Sequence, residues 1–363
     1  MIIKSIELAD FRNYESLEME FCRGTNILFG DNAQGKTNIL EAIYESATTK
    51  SHKGSKDKEI VNFNKDEAHI RTYIEKEGLT TKIDMHLRKE KSKGIAIDGK
   101  KLKKAADLLG ICNVVFFSPE DLSIIKDGPA QRRRFVDMEL CQLDNFYLYN
   151  LNNYNKIVNQ RNKLLKEIYF NPSLKDTLNI WDMQLVSYGS KIIERRNLFV
   201  DQLNEIIYDI HKKLSGGREE IKIVYEPDVS IEDFESRMEY SREKDIRSKM
   251  TSTGPHRDDF GFYIDGLDVR KFGSQGQQRT AALSLKLSEI ELVKKITKDT
   301  PILLLDDVLS ELDEKRQNYL LESIGDVQTI ITCTGLEDFV NNRFEINRVY
   351  KIENGKATLM SNE

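Results

Sequence analysis

Apolar and polar positions alternate along the first residues, with Ile2, Ile6 and Leu8 set against Ser5 and Glu7; a period of two predicts a strand. A loop at 10–14 leads to a second strand around 17–21. A third, Thr25–Phe29, runs straight into a glycine loop. The period then changes. Over 37–48, Ile39, Leu40, Ile43 and Tyr44 fall on one helical face. From 60 to 97, short alternating segments separated by turns, such as 69–75 and 81–87, predict antiparallel strands. From 119 to about 218 the chain is charged and helix-periodic, notably over 135–168 and 181–214. Breaks fall at Asn171-Pro172-Ser173 and Ser215-Gly216-Gly217. This predicts an inserted helical lobe, too short for a long coiled-coil arm. Strand-like segments return at 221–227 and 260–266, a helix follows at 278–295, and the apolar run 301–305 fits a strand covered on both faces.

Composition narrows the class. Charged residues make up 32% of the 363 residues and apolar ones 39%, enough for a core beneath a charged surface. The net charge of -5 excludes a wholesale polycation, so any nucleic-acid binding needs a local basic face. No apolar run reaches the roughly 18 residues of a membrane helix. The first residues show no signal-peptide pattern. The four cysteines, Cys22, Cys112, Cys141 and Cys333, are scattered without a CxxC pair. A soluble cytoplasmic protein is expected.

Chemistry concentrates in three places. Gly30-Asp31-Asn32-Ala33-Gln34-Gly35-Lys36-Thr37 matches GxxxxGK[ST], with a strand before it and a helix after. Glycines let backbone N–H groups wrap phosphates, and the helix start adds a positive dipole. Lys36 is expected to reach the β- and γ-phosphates of ATP, and Thr37 to ligate Mg2+. Asp306 and Asp307 end the apolar strand, where α/β folds place ligands. Asp306 is expected to hold Mg2+ through water, and Asp307 to polarise the attacking water as the catalytic carboxylate alongside Lys36. Third, Ser274, Gly276 and Gln277 open a helix that can meet a phosphate. If Lys36 already occupies the phosphates of its own chain, this turn completes the site of a second copy.

In this order the three motifs resemble ABC-type ATPases, and the helical insertion between them resembles the SMC-like branch. Ser310-Glu311-Leu312-Asp313 resembles that branch's D-loop, which contacts the opposite subunit. Five further blocks narrow the resemblance: Phe11-Arg12-Asn13-Tyr14, residues 117–122, Gly128-Pro129-x-x-Arg132-Arg133, residues 253–259 and residues 273–279. They resemble the bacterial RecF family of recombinational repair proteins.

That resemblance implies an α/β fold: a P-loop ABC-type ATPase head of mixed sheet and helices, plus an inserted mainly helical lobe. The expected division is 1–118 and 251–363 for the two parts of the ATPase lobe, with 119–250 as the insert. It adds Arg12 to the nucleotide-binding residues. It also implies a slow, DNA-stimulated ATPase that dimerises on ATP. The expected partners are double- and single-stranded DNA at gaps and junctions, and RecO- and RecR-type mediators. No membrane is expected. An SMC-like chromosome-associated ATPase and the energy-coupling ATPase of a transporter are the alternatives.

Departures from the broader ABC pattern shape the rest. Asp307 stands where glutamate is usual. No switch histidine follows the next strand, leaving Thr332 and Thr334 as candidate γ-phosphate sensors. Lys53 falls where the SMC-like branch often carries an arginine; with Lys56 and with Lys89, Lys91, Lys93, Lys101, Lys103 and Lys104 it forms the candidate DNA surface. A solvated, edge-protecting lysine surface is the alternative. Arg132-Arg133-Arg134 can bind DNA, pair with acids or start a helix. No nucleophile has a marked base, and no histidine cluster is apparent from metal-ligand spacing.

Overall fold

The computed structural model describes residues 1–335 and 346–362. The chain forms two compact units, one of Met1–Asp121 with Glu289–Glu363 and one of Leu122–Ser288.

In chain order the first unit begins with strands β1 (Ile2–Phe11), β2 (Tyr14–Glu20) and β3 (Thr25–Phe29), then helices α1 (Lys36–Thr48) and α2 (Asp57–Ile60). Strands β4 (Glu67–Lys76), β5 (Leu79–Arg88), β6 (Gly94–Ile97), β7 (Lys100–Lys101) and β8 (Val114–Phe117) follow. The second unit carries helices α3 (Leu122–Lys126), α4 (Pro129–Leu143), α5 (Asn145–Ile168) and α6 (Leu178–Leu214), strand β9 (Ile221–Glu226) and helix α7 (Phe234–Ser248). It continues through β10 (Asp259–Ile264), β11 (Leu267–Asp268), α8 (Val269–Phe272) and most of α9 (Gln275–Thr297). The first unit then resumes with β12 (Ile302–Asp306), α10 (Glu314–Ser323), β13 (Thr329–Cys333), β14 (Arg348–Glu353) and β15 (Lys356–Asn362).

Among the described residues the first unit holds two six-stranded sheets. One is antiparallel, in the order β2-β1-β4-β5-β6-β7; the other is mixed, in the order β15-β14-β3-β13-β12-β8. Helix α1 packs against β4 of the first and against β8, β12 and β13 of the second. Its Ile39, Leu40 and Ile43 share one core with Ile6, Ile70, Leu28 and Leu304. The alternation read from the sequence is what lets the antiparallel sheet face that core on one side only: Ala68, Ile70 and Ile74 are buried, while their neighbours face outward. Ile302–Asp306 is buried throughout, as the unbroken apolar run requires, between parallel neighbours β13 and β8.

The expected α/β head with a mainly helical lobe is the observed fold. The lobe's extent differs from the expected 119–250. Its compact unit reaches Ser288 because β9 pairs along its length with β10, so the segment after residue 250 joins the helices rather than the head. Strands β8, β14 and β15 went unread in the sequence: β8 is four residues long, β14 is half charged, and β15 breaks the apolar–polar alternation at Leu359-Met360. Among the described residues no helix is long and apolar enough to cross a membrane.

Candidate nucleotide site

Strand β3 delivers the chain into the 30–37 loop, whose shape depends on backbone that side chains resist. Gly35 has φ 107, and a Cβ there would lie 2.6 Å from Asn13 Nδ2 and 2.7 Å from the Tyr14 hydroxyl. Gly30 has φ 152, and a Cβ there would lie 2.3 Å from the Ile352 carbonyl oxygen. Both therefore have to be glycine. Asp31, Asn32 and Ala33 are exposed around the rim. The start of α1 carries no side-chain cap and no acid in its first turn, so its N–H groups and dipole remain available to an anion.

The turn between β1 and β2 braces this loop, a role the sequence reading did not give it. Asn13 Nδ2 donates to the Gln34 carbonyl at 3.2 Å, and the Tyr14 hydroxyl donates to the Gly35 carbonyl at 3.0 Å. Gln34 Oε1 accepts from the Asn354 N–H at 2.7 Å. The signal was adjacency: Asn13 and Tyr14 belong to the same four-residue block as Arg12.

Lys36 is buried, with its ammonium donating to the Gly30 carbonyl at 2.5 Å and the Asp31 carbonyl at 2.8 Å. Burial pulls it below the ordinary lysine range, against the opposing pull of Asp307 and, more weakly, of Asp306 and Asp31. Thr37 Oγ1 donates to Asp306 Oδ1 at 2.8 Å, and Thr332 Oγ1 donates to the same oxygen at 2.7 Å. Burial raises the Asp306 carboxyl, and these two hydroxyls partly offset it. Asp307 sits at φ 53, and its N–H donates to Thr332 Oγ1 at 3.0 Å.

The strand order explains this meeting. β13 lies between β3 and β12, and Thr332 is in register with both Leu28 and Asp306. One hydroxyl thus ties the two carboxylate residues together. This is a different task from sensing phosphate, and Thr334 is exposed.

Other expected residues are placed as follows. Arg12 grips Glu41 with two bonds of 2.8 and 2.7 Å and also donates to Ser55 Oγ and the Glu59 carbonyl. Its fork is engaged in bracing α1 rather than held for nucleotide. Burial would raise the Glu41 carboxyl, but bonds from Arg12 and Ser51 hold it below the usual range. Ser274, Gly276 and Gln277 lie in the second unit at the start of α9. There the Gln277 N–H donates to Ser274 Oγ at 3.2 Å, and Gln277 Oε1 accepts from the Ser274 N–H at 2.9 Å, a reciprocal cap. Asp313 accepts from the Arg316 N–H and so caps α10.

The lysines divide. Lys53, Lys56, Lys91, Lys101, Lys103 and Lys104 are exposed, and Lys89 donates to the Phe63 carbonyl at 3.1 Å. Lys93 is withdrawn instead: its ammonium is 2.8 Å from both Glu45 and Asp57, with the side chain 14% exposed. A buried acid on α1 claims it, which removes it from the DNA candidates. Arg132 pairs with Asp259 at 2.7 Å and is likewise structural.

A mixed sheet with a phosphate-binding loop on one strand and paired aspartates on another defines the class: a P-loop ATPase head of the SMC-like kind. The model of the RecF/RecN/SMC N-terminal domain matches residues 2–358. The DNA replication and repair protein RecF of Lachnoclostridium phytofermentans is 64% identical over 98% of this chain and 99% of its own length. That of Lachnospira eligens is also 64% identical, over 98% of both. A solved structure described as the recombination mediator protein RecF with ATP in the RecFOR pathway superposes with a TM-score of 0.93. It is 36% identical and covers 99% of this chain and 97% of that one. An Smc head domain from Pyrococcus furiosus, 16% identical with a TM-score of 0.56 over 99% of this chain and 95% of that one, shares the fold. The chain belongs to the RecF family.

Proposed function

We propose that this chain is an ATP-gated DNA-binding switch of recombinational repair and replication restart in the bacterial cytoplasm. The observation that carries the reading is the joining of Thr37, Asp306, Thr332 and Asp307 beside a glycine cradle that holds one buried lysine. Thr37 Oγ1 and Asp306 Oδ1 are hard oxygen donors that suit Mg2+. Bound there, the ion neutralises charge on the β- and γ-phosphate oxygens of ATP. Lys36 moves from two loop carbonyls to the phosphates, replacing neutral acceptors with charged ones. Asp307, fixed by its backbone bond to Thr332, polarises the attacking water. Its short side chain suits slow turnover.

The reciprocal cap at Ser274 and Gln277 presents a helix start that completes the nucleotide site of a second copy, giving an isologous dimer. ATP binding closes the dimer on gapped or junction DNA through the exposed lysines Lys53, Lys56, Lys91, Lys101, Lys103 and Lys104, and hydrolysis reopens it. RecO- and RecR-type mediators are the expected partners.

The test is ATPase rate per chain against protein concentration, with and without gapped DNA. The rate should rise with concentration and with DNA. Ser274→Arg should keep ATP binding while remaining monomeric in sedimentation with a non-hydrolysable analogue. A Ser274→Arg protein that still dimerises refutes the shared site, and a rate independent of concentration refutes the switch.

A further inference from the structure

We propose that the outward face of the antiparallel sheet carries a site for a divalent transition-metal ion, built from Glu67, His69 and His86. The three are far apart by motif spacing, and only the β4–β5 pairing collects them. His69 lies directly opposite His86 in that register, and Glu67 is two residues before His69 on the same face. One ligand atom from each lies within 4.8 Å of the others. His86 Nε2 is 2.6 Å from Glu67 Oε2, and the two imidazoles stack with centroids 4.1 Å apart at 21°.

The neighbouring strands leave room above this pair. In register across the sheet run Ser16, Ala9, His69, His86 and Gly94, so small residues flank both imidazoles. The result is a depression of about 780 Å³ that both histidines line. A zinc-class ion takes imidazole nitrogen and carboxylate oxygen at about 2.0–2.2 Å, so its donors stand within roughly 4.2 Å of one another. Turning the exposed Glu67 and His69 side chains, with the His69 ring leaving its stack on His86, closes the gap. Two imidazoles and one carboxylate favour zinc, cobalt or nickel over magnesium, which prefers an all-oxygen shell.

The hydrogen bonds orient the His86 ring. Arg88 Nη2 lies 2.8 Å from His86 Nδ1 and can only donate. Nδ1 therefore accepts from Arg88, and the ring hydrogen on Nε2 is donated to Glu67. Metal binding takes the Nε2 lone pair of His86. The ring hydrogen moves from Nε2 to Nδ1, no proton is lost overall, and Arg88 must leave Nδ1. Arg88 thus competes with the metal. The next charges along the face, Glu7 and Asp84, are already occupied by Arg71 at 2.9 and 2.6 Å.

The experiment titrates Zn2+ into the full-length protein by calorimetry, without nucleotide or Mg2+, and follows Co2+ by its visible absorption. Because the half-exposed Cys22 can also take zinc, the reading is the difference between wild type and the His69→Ala/His86→Ala double variant, both checked by circular dichroism. One equivalent of Zn2+, with a Co2+ spectrum free of thiolate charge-transfer bands, should be present in wild type and absent in the double variant. Glu67→Gln should weaken binding roughly tenfold or more, and Arg88→Ala should tighten it several-fold. Lys36→Ala should leave it unchanged, which separates this site from the nucleotide site. Stoichiometry unaffected by loss of both histidines, or no uptake by wild type, overturns the proposal.

Discussion

Both units bury charge, but the nucleotide site of the head leaves open what the core of the helical unit neutralises. In the helical unit Arg196 is fully engaged. It donates to Asp258 and Asp137 at 2.7 Å each, to the Pro255 carbonyl at 2.6 Å and to the Tyr147 hydroxyl at 3.0 Å. Arg161, elsewhere in the same unit, is held by Asp182 and Asp245, both at 2.7 Å. In the head, Lys36 is bonded only to carbonyls, and among the described residues no carboxylate pairs with it. Asp306 is held by two hydroxyls rather than a cation. Charge neutralised by charge is finished and serves stability. Charge held by neutral dipoles keeps most of its electrostatic demand and can spend it on a ligand.

The comparison breaks most visibly at Arg196. Arg196→Met should cost about 3–5 kcal/mol, since it strands the buried Asp258 and the part-buried Asp137; urea unfolding followed by circular dichroism measures it. A loss near zero would mean the network is not structural. In the head the balance reverses. Asp307→Asn keeps a residue tolerated at positive φ, so stability should hold while turnover falls about a hundredfold, roughly 3 kcal/mol of barrier. Steady-state ATPase and nucleotide-binding assays together check this, and normal turnover would move the catalytic carboxylate elsewhere.

The polar core of the helical unit should also weaken in acid. His256 is held neutral by burial, which lowers its pKa to about 4, while Tyr154 donates to Nδ1 and the ring donates to the Thr251 carbonyl. Unfolded, the same group titrates near 6.5. Between those values the unfolded chain binds more protons, so stability falls as pH drops, by about 2–3 kcal/mol at pH 4. His256→Gln preserves both bonds and should flatten that part of a stability-against-pH curve; an unchanged slope would assign it to other groups.

Smallest is Thr332→Val, which removes the hydroxyl linking Asp306 to Asp307 at nearly constant volume. It should cost about 1–2 kcal/mol in ATPase kcat/KM, with Thr332→Ser restoring activity. Equal activity in Val and Ser variants would show the link is dispensable.

Motifs local in sequence were legible before any fold. The 30–37 loop, the Ile302–Asp306 strand and the Ser274 helix start each carry their own signal, because glycine conformation, apolar runs and capping act over a few residues. The block 253–259 was visible as a motif, yet its purpose was not: Asp258 is a buried acceptor for Arg196 and Tyr225. Lys93 looked like its lysine neighbours until Glu45 and Asp57 came against it.

By itself, then, the sequence determined where phosphate can be wrapped, which strand ends in acids and that a helical lobe interrupts the head. Only the tertiary structure decided that Thr332 joins the two aspartates, that Asn13 and Tyr14 brace the loop, and that Glu67, His69 and His86 meet. Those contacts depend on strand order and register between segments distant in the chain, and neither is encoded in the spacing of residues along a single segment.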